Sequence, residues 1–207
     1  MTELYIVRHG QTTANRAGLK QGVIDDDRTL LTEDGIKQAQ ELAAVFHPLN
    51  LSALYQSPLR RTVQTARILN QSLNLPVATD RRLLEISYGD WDGQENARLE
   101  AQYPTLFYDL IHDVRPNYAP VAHGETFDHV QKRVLAFTKD VVKAHPTERL
   151  LIVTHGFTVR SFAANATGAH GLEILEPDNC SVTKIIVDPQ TLEQHLVYYN
   201  RAAKPNF

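Results

Sequence analysis

Two histidines, His9 and His155, occupy equivalent places in the sequence. Each lies within two residues of the end of a strongly apolar run, and each is followed by a glycine. Apolar runs bounded by polar residues are typical of strands that are buried on both faces of an α/β sheet. Ligands of such sheets bind in the crevice outside the carboxyl ends of the strands. We therefore expect both histidines at the same rim of the sheet, within reach of one ligand.

Two arginines and a glutamate are expected at this rim as well. Arg8 immediately precedes His9, and Arg60 falls in the first turn of the helix predicted after the second strand. A cation in the first turn of a helix opposes the helix dipole, which favours a functional position for Arg60. Glu85 lies between apolar neighbours that would raise the pKa of its carboxyl group. Guanidinium groups bind anions, and imidazole and carboxyl groups can donate and accept protons. These five residues therefore predict anion binding and proton transfer at the rim.

The pattern His-Gly-x-Thr occurs a third time, at His123. Only the context separates the three copies. The copies at His9 and His155 follow apolar strands, whereas no strand is predicted before His123. We therefore interpret His123 as a loop residue and Thr126 as the N-cap of the helix that follows.

The apolar pattern predicts a sheet with helices on both faces. Strands are predicted at 4–7, 51–56, 76–79, 150–153, 182–187 and 192–199, the last two as an antiparallel hairpin. Helices are predicted from the N-cap Thr32 to Pro48, from about 59 to 73 with Ser57 as the N-cap, from Thr126 to His145, and after His155. This order favours a three-layer α/β/α sandwich with a mostly parallel mixed sheet.

One segment does not fit this alternation. Residues 94–123 form a helical pattern that is broken at Pro104 and followed by a loop with aromatic residues and two further prolines. We predict that 94–123 is a small lid insertion that covers the rim and decides substrate specificity. The whole chain, 1–207, is predicted to be a single domain.

Composition narrows the class of protein. The chain has 207 residues, of which 43% are hydrophobic and 22% charged, which is ordinary for a globular protein. A net charge of -3 without any Lys/Arg-rich block argues against a nucleic-acid partner. No apolar stretch reaches membrane length, the N-terminus does not read as a signal peptide, and the single cysteine, Cys180, cannot form an intramolecular disulfide. We predict a cytoplasmic protein without a membrane partner; the sequence leaves its oligomeric state open.

The sequence resembles the histidine phosphatase superfamily, in the branch that contains cofactor-dependent phosphoglycerate mutases, fructose-2,6-bisphosphatase and small broad-specificity phosphatases. The matching motifs occur in family order over nearly the whole chain: Val7-Arg8-His9-Gly10-Gln11-Thr12, Asn15, Gln21-Gly22, Leu31-Thr32-Glu33-Asp34-Gly35, Ser57-Pro58-Leu59-Arg60-Arg61-Thr62, Leu84-Glu85-Ile86-Ser87-Tyr88-Gly89-Asp90-Trp91-Asp92-Gly93, Gly124-Glu125-Thr126, Thr154-His155-Gly156 and Asn179-Cys180-Ser181.

The resemblance implies a role for each residue of the rim. His9 is similar to the family's nucleophile, which carries the phosphoryl group as a covalent intermediate. Glu85 corresponds to the proton donor, and His155 completes the catalytic set. Phosphate binding is implied for Arg8, Asn15, Arg60 and the backbone N–H of Gly156, and substrate binding for Gln21, Gly22 and Tyr88.

The implied activity is phosphomonoester hydrolysis on small phosphorylated metabolites, with a phosphoglycerate mutase as the alternative. A mutase must exclude water and hold a second acidic group, which calls for a longer and more basic insertion. Between Gly93 and Gly124 the only cations are Arg98 and Arg115, so hydrolysis is favoured. No cofactor is expected; 2,3-bisphosphoglycerate would be needed only by a mutase.

Two other functions stay open at this point. The nine histidines include no His-x-x-x-His or His-Glu-x-x-His pair, which argues against a metal-dependent hydrolase and predicts no metal site. A binding module that has lost catalysis is the second alternative. His112, His123, His129 and His170 are predicted to lie on the surface, and the run Asp25-Asp26-Asp27 is predicted to be a solvated loop.

Overall fold

The computed structural model describes residues 1–46, 49–170 and 172–203. Its central sheet has six strands, and a separate hairpin adds two more. The strands are β1 (Thr2–Arg8), β2 (Ala53–Gln56), β3 (Val77–Thr79), β4 (Phe107–Tyr108), β5 (Asp113–Val114), β6 (Arg149–Thr154), β7 (Val182–Val187) and β8 (Gln194–Arg201). The order in the central sheet is β3-β2-β6-β1-β7-β8, parallel from β3 to β1 and antiparallel from β1 through β8.

The two apolar runs form neighbouring central strands. Strand β1 pairs in parallel with β6, and Arg8 stands opposite Thr154 in the register. Each strand therefore ends one residue before its histidine, which places His9 and His155 side by side at the carboxyl rim. The side chains of Leu4, Ile6, Leu150, Leu151, Ile152 and Val153 are all 0% exposed, as expected for strands covered on both faces.

The helices are α1 (Thr13–Arg16), α2 (Glu33–Phe46), α3 (Arg60–Asn70), α4 (Asn96–Gln102), α5 (Ala119–Ala122), α6 (Phe127–Ala144) and α7 (Gly156–Thr167). Successive side chains of a strand point to opposite faces of the sheet. Accordingly, Leu4 and Ile6 pack with the α6 and α7 side of the core, and Tyr5 and Val7 pack with α2 and α3. The predicted three-layer sandwich is confirmed. None of the helices in the described ranges could cross a membrane.

Two of the three predicted N-cap residues are observed and the third is wrong. Thr32 Oγ1 accepts from Gly35 N at 3.0 Å, and Thr126 Oγ1 accepts from His129 N at 3.2 Å. Ser57 does not cap α3, because that helix begins at Arg60 and has no side-chain cap. The predicted helix end at Pro48 lies outside the described residues.

The segment 94–123 contains the short helices α4 and α5 and the hairpin β4–β5, which the sequence pattern did not reveal. It is attached through aromatic packing: Trp91 stacks on Tyr103 with ring centroids 5.0 Å apart and on Phe107 at 6.0 Å. The hairpin brings Asp113 back over the sheet, towards Lys20. The segment therefore reaches the carboxyl rim of the sheet.

Candidate active site

A cavity of about 570 Å³ opens at the carboxyl rim of β1 and β6. Seven of the predicted site residues line it: Arg8, His9, Asn15, Gln21, Gly22, Glu85 and Tyr88. The segment 94–123 contributes Asn96, Ile111, His112 and Asp113 to its wall. The predicted rim thus exists as one concave surface. His112, predicted as an ordinary surface residue, is exposed but forms part of this wall.

His9 is held in one tautomer by its own backbone neighbour. Its side chain is buried, and Nδ1 lies 2.8 Å from the carbonyl oxygen of Gly10. A carbonyl can only accept, so Nδ1 carries the proton and Nε2 keeps its lone pair. Burial, and then the charges of Arg61 and Arg8, lower the pKa of His9 well below its usual value. The imidazole is therefore neutral near pH 7 and nucleophilic at Nε2.

The arginine at the rim is Arg61, and the prediction of Arg60 is wrong. The Arg60 side chain is 42% exposed and forms ion pairs with Asp25 and Asp27, outside the cavity wall. Arg61 is fully buried and lines the cavity. Consecutive residues of a helix point about 100° apart. The two side chains therefore cannot both face the cavity, and the one turned towards the rim is that of the second arginine.

Arg61 ties three parts of the rim together. Its Nη2 donates to Gly22 O at 2.7 Å, its Nη1 donates to Ile24 O at 3.0 Å, and its Nε donates to His155 Nδ1 at 3.2 Å. Burial lowers the pKa of Arg61 to about 10, which still leaves it charged at neutral pH. Asp25 and Asp27 of the acidic run are exposed, in agreement with the predicted solvated loop, and they pair with Arg60 outside the cavity wall.

His155 lies beside His9 but does not line the cavity. The two ring centroids are 5.3 Å apart, and His155 is 0% exposed. Because Arg61 can only donate, Nδ1 of His155 is the acceptor and Nε2 carries the proton, which it donates to Ser57 Oγ at 2.7 Å. Burial and the charge of Arg61 lower the pKa of His155 well below its usual value. Both ring nitrogens of His155 are therefore hydrogen-bonded to protein groups.

Glu85 lies at the amino end of α7. Its carboxylate accepts from Phe157 N at 3.2 Å, from Thr158 N at 3.3 Å and from Ile86 N at 3.0 Å. Burial, followed by the charge of Glu176, raises the pKa of Glu85, and the backbone donors only partly offset this. The predicted phosphate binder Gly156 precedes these two α7 donors and is buried beside them.

Asn15 and Asn179 border His9. The amide oxygen of Asn15 accepts from Thr12 N at 3.1 Å, so its NH₂ group is the part that can serve a ligand. Asn179 Nδ2 donates to His9 O at 3.0 Å. Asn179 belongs to a motif that the sequence analysis noted without giving it a role.

Gln21, Gly22 and Tyr88, predicted to bind substrate, line the cavity. Gln21 Oε1 accepts from Thr12 Oγ1 at 2.9 Å, and Lys20 Nζ lies 4.8 Å from the centre of the Tyr88 ring. Gly22 has φ +46°, and a Cβ there would lie within van der Waals overlap of Asp92 Oδ1. Only glycine fits this turn.

A charged cluster that the sequence analysis missed forms one wall of the cavity. Asp113 accepts from Lys20 Nζ at 2.7 Å and from Arg160 Nη1 at 3.0 Å. The side chain of Arg160 is 5% exposed, and its Nε and Nη2 have no hydrogen-bond partner among the described residues. No signal could have joined these residues, because they are far apart in the sequence and meet only through the 94–123 segment.

These groups define what the rim can do. It offers a neutral imidazole with a free Nε2, guanidinium groups that can hold an anion, and a carboxyl group with a raised pKa that can deliver a proton. Within residues 1–46, 49–170 and 172–203, no three His, Cys, Asp or Glu side chains are grouped to hold a metal ion. The arrangement suits nucleophilic attack on an anionic electrophile.

Comparison with known proteins agrees with this chemistry. The sequence pattern of the family described as histidine phosphatase superfamily (branch 1) matches residues 4–200. Phosphoserine phosphatase 1 of Hydrogenobacter thermophilus is 33% identical over 161 residues, 78% of this chain and 74% of that protein. The probable phosphoglycerate mutase GpmB of Proteus mirabilis is 31% identical over 187 residues, 89% of this chain and 85% of that one.

The fold is shared as well. The solved structure of Bacillus stearothermophilus YhfR superposes with a TM-score of 0.86 at 32% identity, covering 98% of each chain. Together, the match along almost the whole sequence and the shared fold establish that this chain belongs to the histidine phosphatase superfamily.

Proposed function

We propose that this protein hydrolyses phosphomonoesters through a phosphohistidine formed at Nε2 of His9. The observation that carries the proposal is the bond between His9 Nδ1 and the Gly10 carbonyl, which leaves Nε2 as the free nucleophilic nitrogen. Attack by Nε2 on phosphorus forms the N–P bond while the P–O bond to the alcohol breaks. Water then attacks phosphorus, which releases inorganic phosphate and restores the neutral imidazole.

The phosphoryl group would be held by Arg8, Arg61, the NH₂ of Asn15 and the backbone N–H of Gly156. A phosphate monoester carries about -1.5 to -2 charges near pH 7. Two guanidinium groups match this charge, and each can bind two phosphoryl oxygens. Arg61 takes the role first predicted for Arg60. We assign His155 a positioning role, because it accepts from Arg61 and contacts His9 in the same buried layer.

Glu85 would protonate the leaving alkoxide and then take a proton from the attacking water. Its raised pKa supports the first step, since the carboxyl group must hold a proton near neutral pH. Its contacts with Phe157 N and Thr158 N support the second, since they stabilise the carboxylate formed after the proton has left. In this mechanism the chain's own residues supply every group, and we propose that no metal or organic cofactor is required.

We propose small phosphorylated metabolites as substrates, with O-phosphoserine as the first to test because of the relative from Hydrogenobacter. The segment 94–123 would set specificity together with Gln21, Gly22 and Tyr88. Nε and Nη2 of Arg160 lack a hydrogen-bond partner among the described residues, which favours a substrate that bears a second acidic group, such as a carboxylate. Cations that could bind such a second acidic group were expected within the 94–123 segment. In this proposal Lys20 and Arg160, which lie outside that segment, supply them.

A phosphoglycerate mutase remains the second candidate, since this same cluster suits a phosphoglycerate. The two functions separate in one assay: release of phosphate compared with isomerisation of 3-phosphoglycerate, each with and without 2,3-bisphosphoglycerate. Activity that is lost in EDTA and restored by zinc would contradict the metal-free mechanism. The cytoplasmic location stays a prediction from the sequence, and cell fractionation would test it.

Mass spectrometry of the intact protein tests the covalent step. After brief exposure to O-phosphoserine or p-nitrophenyl phosphate under alkaline quench, we expect one added phosphoryl group that maps to His9. The variant His9→Ala should fold normally, add no phosphoryl group and show no turnover. Full activity of that variant would refute the assignment of the nucleophile.

A further inference from the structure

Glu176 places a carboxylate directly on one of the arginines of the rim. Its Oε1 lies 2.7 Å from Arg8 Nη2, and the neighbouring Pro177 carbonyl accepts from Arg8 Nη1. Both terminal nitrogens of the Arg8 guanidinium therefore face the loop that joins α7 to β7. The Nε of Arg8 is buried and has no hydrogen-bond partner in the part of the chain that the structure describes.

The same carboxylate lies against the first residue of α7. A Cβ built on Gly156 would overlap with Glu176 Oε1, so this oxygen closely contacts the glycine. Anions are favoured at the amino end of a helix. Glu176 is also close enough to Glu85 for its charge to raise the pKa of that group. Arg8, Gly156 and Glu85 are three of the groups that the proposed reaction brings around the phosphoryl group.

The ion pair between Glu176 and Arg8 is weak. Its side chain is 48% exposed, whereas that of Arg8 is 12% exposed. An ion pair with one solvent-exposed partner contributes little, because water screens it and ordering the side chain costs entropy. A phosphoryl dianion brings more charge and can bind the guanidinium through two oxygens. Glu176 can turn into solvent without disturbing the core.

Resting on the proposed function, we propose that the Glu176 carboxylate stands in for a phosphoryl oxygen at Arg8 and Gly156 and competes with substrate and inorganic phosphate for that position. Glu176 is then a specificity-determining residue, because only groups that outcompete a carboxylate are retained. Its return to Arg8 would also favour release of inorganic phosphate, which binds through the same oxygens.

Neutral replacement of this side chain tests the competition. In Glu176→Gln and Glu176→Ala, we expect the KM for p-nitrophenyl phosphate and the inhibition constant of inorganic phosphate to fall together, by about two- to fivefold. The matched control is Glu173→Gln, which neutralises an exposed carboxylate of the same loop and should leave both constants unchanged. Unchanged or higher constants in both Glu176 variants would overturn the proposal.

A binding measurement keeps this test separate from the proposed reaction. Calorimetric titration with inorganic phosphate is carried out in the His9→Ala background, where no covalent step can occur. Tighter binding after Glu176→Gln supports competition, whatever the turnover of the wild-type protein. Equal or weaker binding, or no phosphate binding by either protein at millimolar concentration, overturns it. An absence of turnover with phosphate binding intact would count against the proposed hydrolysis alone.

Discussion

Arg61 Nε donates to His155 Nδ1 at 3.2 Å, and this contact makes a buried cation part of the catalytic rim. Because a guanidinium cannot accept, the contact also fixes the His155 tautomer, with the proton on Nε2 pointing to Ser57. Arg61 is 0% exposed, and the carbonyls of Gly22 and Ile24 are its further hydrogen-bond partners.

The two adjacent arginines of α3 provide a matched pair of variants. Arg61→Gln should lower kcat/KM for p-nitrophenyl phosphate by about 100-fold or more, because it removes one of the two cations that we propose hold the phosphoryl group. Arg60→Gln should change it by less than about threefold, because its side chain pairs only with the exposed acidic loop. Circular dichroism and thermal unfolding would show whether each variant is folded, with Arg61→Lys as a milder replacement. Equal losses in the two glutamine variants would contradict the assignment.

Glu85→Gln should slow substrates in proportion to the basicity of their leaving groups. An alkyl phosphate needs its alkoxide protonated, whereas p-nitrophenolate leaves without help, so the loss should be at least about 10-fold greater for the alkyl ester. Rates across a series of substituted phenyl and alkyl phosphates measure this. The same loss for every ester would argue against a proton donor.

The pH profile offers a separate test of Glu85. The raised pKa of its carboxyl group means that activity on alkyl phosphates should decline as pH rises through that pKa, and Glu85→Gln should abolish this limb. His9 has its pKa lowered well below the usual value, so no loss of nucleophile is expected on acidification until pH is well below the normal histidine range. A wild-type profile that instead falls below pH 6.5, following an ordinary histidine pKa, would contradict the neutral, buried nucleophile.

Arg160→Gln should discriminate between substrates with and without a carboxylate. We expect kcat/KM for O-phosphoserine to fall about 10-fold or more, because a charge-assisted hydrogen bond is lost. The value for O-phosphoethanolamine, which lacks the carboxylate, should change by less than about twofold. Arg98→Gln, on the exposed side of α4, is the control. Parallel losses on both substrates would indicate that Arg160 serves the structure of the rim only, and Arg160→Lys would separate charge from geometry.

Glu3 should stabilise the fold in a pH-dependent way. Hydrogen bonds from Lys184 first, and also from Tyr5 and Arg149, lower the pKa of Glu3 from 4.5 to about 2, despite partial burial. The contribution is therefore complete above pH 4.5 and is lost as pH falls towards 2. Glu3→Gln should reduce the free energy of unfolding at pH 7 by about 1 kcal/mol, since solvent screens part of the interaction.

Urea unfolding of wild type and Glu3→Gln at pH 7 and at pH 3 would measure this difference. Glu193 is an exposed residue beside β8, and Glu193→Gln is the control. This variant should leave the free energy of unfolding unchanged at both pH values. A difference that stays constant, or that grows on acidification, would contradict the assignment of the lowered pKa.

The centre of the sheet and its two histidines could be predicted from the sequence. Strands buried on both faces require unbroken apolar runs, and the chain has two such runs that each end in a polar group and a histidine. The helix starts at Thr32 and Thr126 could also be predicted from the sequence, because an N-cap is a local contact between residues three apart. The central strands and the helix caps each depend on a short stretch of chain, so the sequence of that stretch is enough to predict them.

The details of the site depend on contacts that no short stretch contains. The rotation of α3 about its axis, which its packing sets, turns Arg61 and not Arg60 towards the rim, and Ser57 meets His155 instead of capping the helix. The cluster of Lys20, Asp113 and Arg160 and the pair of Arg8 with Glu176 join residues more than 40 positions apart. The sequence by itself determined the central strands and the two histidines at their ends, because apolar runs and helix caps are patterns within short stretches of chain. Only the tertiary structure decided which charges face the ligand, because side-chain direction follows from helix phase and from how distant segments pack.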